Sequence, residues 1–126
     1  MLIVSGEQYS CREAVMNTEY DDGRTGFIFI NAREGGGIIS FSGMGQEQVS
    51  PSVDLRLQPV DALVVDGTRK RAVGFCAFGN PFSGQARMEC YAYLENGELY
   101  AGFFLSDGQT PKLMGPGNLN ELGATE

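Results

Sequence analysis

The stretch Gln85–Leu105, QARMECYAYLENGELYAGFFL, constrains the fold more than any other part of the chain. Asn96-Gly97 lies between two runs of alternating, strand-forming residues. This dipeptide is the strongest short-range hairpin signal, because both residues accept the positive φ of a tight turn. A two-residue loop there predicts that Glu95 pairs with Glu98, Leu94 with Leu99, Tyr93 with Tyr100, Ala92 with Ala101 and Cys90 with Phe103.

Strand side chains alternate between faces. In that register one face carries Met88, Cys90, Ala92, Leu94, Leu99, Ala101, Phe103 and Leu105, is wholly apolar, and is expected to meet the core. The other carries Glu89, Tyr91, Tyr93, Glu95, Glu98, Tyr100 and Phe104, an aromatic surface with a charged fringe. Glu95 opposite Glu98 is a like-charge pair, which points to a solvated hairpin tip.

The rest of the chain reads as further strands. Leu2-Ile3-Val4 is a short apolar run, and Tyr9–Met16 carries a weak alternation that fits a strand or a short helix, with strand the preferred reading. Phe27-Ile28-Phe29-Ile30 reads as a strand buried on both faces, with Ile38–Phe41 starting its partner beyond a glycine-rich turn at Glu34–Gly37. Gly43–Ser50 has no periodicity and is expected to be a surface loop. Val53, Leu55 and Leu57 alternate with Asp54, Arg56 and Gln58, which predicts a half-buried strand. Ser50-Pro51 gives a competing reading as a helix start, stopped by Pro59. Ala62–Val65 closes on the turn Asp66-Gly67, and Arg69–Phe78 reads as a central strand with apolar residues on both sides.

About eight strands with turn signals every 8–12 residues, and no alternating helical segments, predict an all-β antiparallel sandwich or small barrel. It is built around a C-terminal three-stranded meander, with little helix. Residues 1–108 are expected to form one β domain and 109–126 an irregular tail, packed on it or partly disordered. At 126 residues the chain is long enough to bury a core.

Absent residues exclude chemistry. The chain has no histidine, so Ser-His-Asp, Cys-His and histidine–zinc arrangements are ruled out. The Glu19, Asp21 and Asp22 cluster lacks the spacing of a calcium loop and reads as a solvated turn. Gly43-Met44-Gly45 lacks the rest of a dinucleotide fingerprint. No metal site, cofactor or enzymatic activity is expected.

Three separated cysteines, Cys11, Cys76 and Cys90, cannot pair completely within one chain. They are expected to be reduced core residues, which implies a cytoplasmic protein. A Cys76–Cys90 cross-strand disulfide is the lesser expectation, since the register between their strands is open. No apolar run approaches the ~20 residues needed to cross a bilayer. The opening MLIVSGEQYS lacks the basic segment of a secretory leader, so neither a leader nor membrane association is expected.

What remains is binding. Tyrosine offers a large contact area at small entropic cost. The partner-binding residues are therefore expected to be Tyr91, Tyr93, Tyr100 and Phe104, rimmed by Glu89, Glu95 and Glu98. The partner would be another protein, basic in character, or a second copy in a homodimer. The alternative is a strip for single-stranded nucleic acid made by Arg69, Lys70, Arg71 and Arg87 beside the tyrosines. The net charge of −7 argues against nucleic acid, because a negative chain is repelled by phosphates.

Overall fold

The structure, a computed structural model, describes residues 2–4, 6–9, 16–31, 37–79 and 84–105. Ten strands account for most of them: β1 (Leu2–Val4), β2 (Glu7–Tyr9), β3 (Met16–Glu19), β4 (Arg24–Ile30), β5 (Ile38–Met44), β6 (Val49–Ser52), β7 (Leu55–Val65), β8 (Thr68–Phe78), β9 (Arg87–Leu94) and β10 (Leu99–Leu105). Every ladder between them is antiparallel. They form one sheet in the order β2-β1-β10-β9-β8-β7-β5-β4-β3, with β6 paired to β7 beside this path. The predicted all-β antiparallel class is therefore observed, with β8–β9–β10 as the predicted meander. No helix among the described residues is long and apolar enough to cross a membrane.

The sheet is not closed, yet it curls until distant strands share one core. Phe27 on β4 meets Phe78 on β8 with ring centroids 5.1 Å apart, although β5 and β7 lie between them in the sheet. Phe29 on β4 packs edge-on to Phe41 on β5 at 5.6 Å and reaches across to Gly102 on β10. The core gathers Leu2, Phe27, Phe29, Phe41, Leu63 and Tyr100 from β1, β4, β5, β7 and β10. Each fully buried large apolar side chain contributes about 1.5–3 kcal/mol. As predicted, β4 is buried on both faces, with Phe27, Ile28 and Phe29 all solvent-excluded.

The β7–β8 turn follows the sequence signal: Asp66 and Gly67 both take positive φ, 49° and 84°, as a two-residue hairpin loop requires. Asp66 Oδ1 also accepts a hydrogen bond from the Ile38 amide at 2.8 Å, which ties this turn to the start of β5.

The predicted hairpin at Asn96-Gly97 exists, but its register differs by one residue. Tyr93 faces Leu99, Ala92 faces Tyr100, Tyr91 faces Ala101 and Met88 faces Phe104. The loop is three residues long. Gly97 donates to the Leu94 carbonyl and the Leu94 amide donates to Glu98. Gly97 sits at φ 86°, and Asn96 Oδ1 accepts from the Glu98 amide at 2.9 Å. This is the type I turn with a left-handed glycine that three-residue hairpins favour. A one-residue slip turns one strand over relative to the other. Tyr100, Gly102 and Phe104 therefore turn inward, and Ala101, Phe103 and Leu105 turn outward.

Four other expectations are corrected. Gly43–Ser50 is not a loop: it holds the end of β5, one 3₁₀ turn at Gly45–Glu47 and the start of β6. The helix reading from Ser50-Pro51 fails with it. Val53 is a turn residue, 98% exposed. In β7 the alternation is present but inverted, with Gln58 fully buried and Leu55 exposed. The Gln58 amide donates to the carbonyls of Met44 and Pro59, both at 2.9 Å, and its oxygen accepts from Gln48 at 2.8 Å. A fully paired amide can occupy the core where an unpaired one could not. Finally, β8 is buried on one side only, and Cys76 and Cys90 are not reduced. Direct partners across β8 and β9, they form a disulfide with Cα atoms 4.0 Å apart. The Glu34–Gly37 turn apart from Gly37, the 10–15 segment within the Tyr9–Met16 reading and the 109–126 tail lie outside the described residues, as do residues 80–83.

Candidate protein-binding surface

The registers of β7, β8, β9 and β10 set the outward side chains in rows across the strands. One row runs Pro59, Phe75, Tyr91, Ala101 and Ile3. Nearer the hairpin tip lies Val73, Tyr93 and Leu99, and on the other side Leu57, Ala77, Glu89 and Phe103. The rows are in contact: Phe75 and Tyr91 rings lie 5.6 Å apart, and Tyr91 meets Phe103 edge-on at 5.3 Å.

This face is apolar and open. Val73 is 76% exposed, Leu105 58%, Tyr93 55% and Phe75 45%. The outer side of the same sheet at β4 and β5 behaves differently, since Ile28, Ser40 and Ser42 are all buried there. The open apolar strip thus belongs to the meander.

Charges sit at its two ends. Arg71 pairs with Glu95 at 3.7 Å near the tip, and Arg87 pairs with Glu89 at 3.7 Å near the other end. Exposed pairs of this kind contribute little stability. They do leave the rim close to neutral, whereas the sequence suggested an acidic one. Burial, and secondarily the Glu89 carboxylate, raises the Tyr91 phenol above its ordinary value.

The residues expected to bind a partner are therefore divided. Tyr91, Tyr93 and Glu89 lie on the outer face, and Glu95 and Glu98 lie at the exposed tip. Tyr100 belongs to the core, and Phe104 packs against it from the inner side. Of the basic set, Arg69 and Arg71 share the outer face with Val73. Lys70 pairs with core-facing Leu63 and so projects from the opposite face. Arg71 and Arg87 each have a carboxylate neighbour.

Sequence reasoning missed Val73, Phe75, Phe103 and Leu105, all assigned to the core. For β8 the only sequence signal was that both alternating sets are apolar, which leaves the choice of inner face open. For β10 the missing information was the loop length.

Among the hollows that line the described surface are two more. One, about 380 Å³ and open, is bordered by Asp54, Phe78, Gln85 and Arg87. The other, about 300 Å³, is bordered by Tyr20, Arg24, Ser42 and Arg69, with Arg24 already bonded to Asp61 and to Ser42. Among the described residues no three potential metal ligands cluster, and no buried side-chain nitrogen or oxygen lacks a partner. Comparison with family models, curated proteins and solved structures finds no match for this chain.

Proposed function

We propose that this protein is a non-enzymatic protein-binding module, of inhibitor, immunity or adaptor type, working through the outer face of β8–β10. The observation that supports this reading is the contiguous outer strip in which exposed Val73, Phe75 and Tyr93 surround half-buried Tyr91. Exposed apolar strips rimmed by polar residues mark interaction sites more often than chance exposure does. The near-neutral rim favours an apolar partner surface over a strongly basic one. No observation favours the nucleic-acid alternative, because the basic side chains are split between faces and two of them are matched by carboxylates.

The cytoplasmic setting expected from the sequence rests on reduced cysteines. The Cys76–Cys90 bond takes that ground away, and an oxidising compartment suits it better.

The test is affinity capture from the native host, comparing the parent chain with Tyr93→Ala and Val73→Ala. Both side chains are exposed, so folding should be unchanged. A partner retained by the parent and lost by both variants supports the reading. Capture that is indifferent to both substitutions sinks it. Tyr100→Ala is unsuitable as a control, because Tyr100 is only 4% exposed and its loss would damage the core.

A further inference from the structure

We propose that the occupant of this face is the same face of a second copy, with the strands of the two copies antiparallel about a two-fold axis crossing β9 at Tyr91. This rests on the reading that the face binds protein, and it adds which protein.

The argument comes from the order of side chains along the outer side of β9. Reading from the tip, they are Glu95, Tyr93, Tyr91, Glu89 and Arg87, with Val73 beside Tyr93 and Ala77 beside Glu89 on β8. Two sheets stacked face to face by a two-fold have their axis in the interface plane, either along the strands or across them. An axis along β9 lays each row on itself. Glu89 then faces Glu89 of the second copy and Arg87 faces Arg87, so like charges meet, offset only by the Arg87–Glu89 pair within each copy.

An axis across β9 at Tyr91 reverses the rows. The Tyr93 hydroxyl then lies over the Glu89 carboxylate of the other copy, as a donor over an acceptor. Glu95 lies over Arg87. On β8 the protruding Val73 lies over the small Ala77. Each contact occurs twice by symmetry. The charge and size pattern of the strip is thus self-complementary in one orientation and self-repelling in the other.

The area sets the strength. Exposed aromatic and aliphatic side chains on this strip offer on the order of 500 Å² per copy, near the upper end for a monomer's largest apolar patch. A standard stable interface buries ~800 Å² per partner. The dimer is therefore reversible and concentration-dependent, and a chain of net charge −7 associates best where salt screens its self-repulsion.

Sedimentation velocity on the full chain, from ~5 to ~500 µM at ~150 mM salt, tests this. The mass should rise from the 13.6 kDa chain toward twice that value. Tyr93→Glu, which sets a carboxylate over Glu89, should stay monomeric throughout with an unchanged unfolding midpoint. Tyr93→Lys should keep or strengthen the dimer, since lysine would meet Glu89. In the other orientation it would meet itself and dissociate.

A parent chain that stays monomeric at the highest concentration overturns the proposal. So does a dimer that Tyr93→Glu leaves intact, or one that Tyr93→Lys abolishes. A monomeric parent that still captures a host protein through Tyr93 overturns the second copy alone and leaves the protein-binding reading standing. A monomeric parent with no such capture removes both.

Discussion

Phe29 stands directly on Gly102: a β-carbon added to that glycine would lie 2.7 Å from Phe29 Cζ and 2.8 Å from both ring Cε atoms. The two residues come from β4 and β10, which are far apart in the sheet, so this contact helps draw the curl together. Phe29 cannot simply swing away, because its ring is also held against Phe41. Gly102→Ala should therefore cost roughly 1–3 kcal/mol through overpacking. Urea unfolding reads this directly. Adding Phe29→Leu should recover part of the loss, a coupling expected of side chains in contact. An unchanged urea midpoint for Gly102→Ala would show that the ring does not occupy that space.

Gln58 is the polar residue on which the core end between β5 and β7 depends. Gln58→Leu keeps the size but removes the donor to the Met44 and Pro59 carbonyls and the acceptor for Gln48. Stranding these buried groups should cost roughly 1–3 kcal/mol. Gln48→Ala, at a half-exposed position, should cost less. If both variants unfold at the parent midpoint, the hydrogen-bond network is not what holds this end.

Stability should decline at high pH through Tyr91. Its phenol is raised, by burial first and by Glu89 second. In the unfolded chain Tyr91 loses its proton near pH ~10, while the folded chain still holds it. The folded state then binds more protons, so stability falls as pH rises. The contribution is complete below ~10 and is lost as pH climbs through the raised value. Tyr91→Phe should flatten this alkaline decline, as measured by unfolding midpoints across that range. An equal slope in both chains would assign the decline to other groups.

The Cys76–Cys90 bond makes a simple count. Alkylation in denaturant should label one of the three cysteines without reductant and all three with it. The bond spans a sequence separation of 14, and closing a loop of that size stabilises by about 3 kcal/mol in the chain-entropy account. Cys76→Ala with Cys90→Ala should lose a stability of that order. Since both sulfurs lie in the solvent-excluded core, a mild reductant should act slowly until the protein is partly unfolded. Three labels without reductant would rule the bond out.

Particular residues show where sequence reasoning reached and where it stopped. Phe27–Ile30 was legible because four consecutive large apolar residues have nowhere to go but a strand covered on both sides. The Asp66-Gly67 turn was legible because few other sequences tolerate two positive φ angles in succession. The hairpin was legible as a hairpin, but Asn96-Gly97 suits a two-residue loop and a three-residue loop alike. Only the hydrogen bond from Leu94 to Glu98 separates them, and that single residue decided the faces of Tyr100 and Phe104. In β7 and β8 the alternation was visible and its direction was not. Period two says that faces differ, and polarity normally says which is inner. Here a paired glutamine points in while Leu55, Val73 and Phe75 point out, so polarity misleads. The outer face was half legible for the same reason, with Tyr91, Tyr93 and Glu89 expected there and observed there, and their outward neighbours assigned to the core.

The pairing of β1 with β10, Leu2 opposite Gly102, also governs how the fold is reached. Most neighbouring strands in the sheet are consecutive in the chain and can zip as they meet. The β1–β10 ladder alone joins opposite ends of the described chain, so it must overcome the largest loop-closure entropy. Such long-range closure slows folding. On a ribosome the meander could form only after β10 has emerged, and until then β1 can pair with β2 alone, leaving its other edge open. β1 is thus made before β10 yet is enclosed in the sheet only after it. A chain stalled before Gly102 would present an unsatisfied strand edge at both β1 and β9, the kind of exposed edge from which misassembly begins.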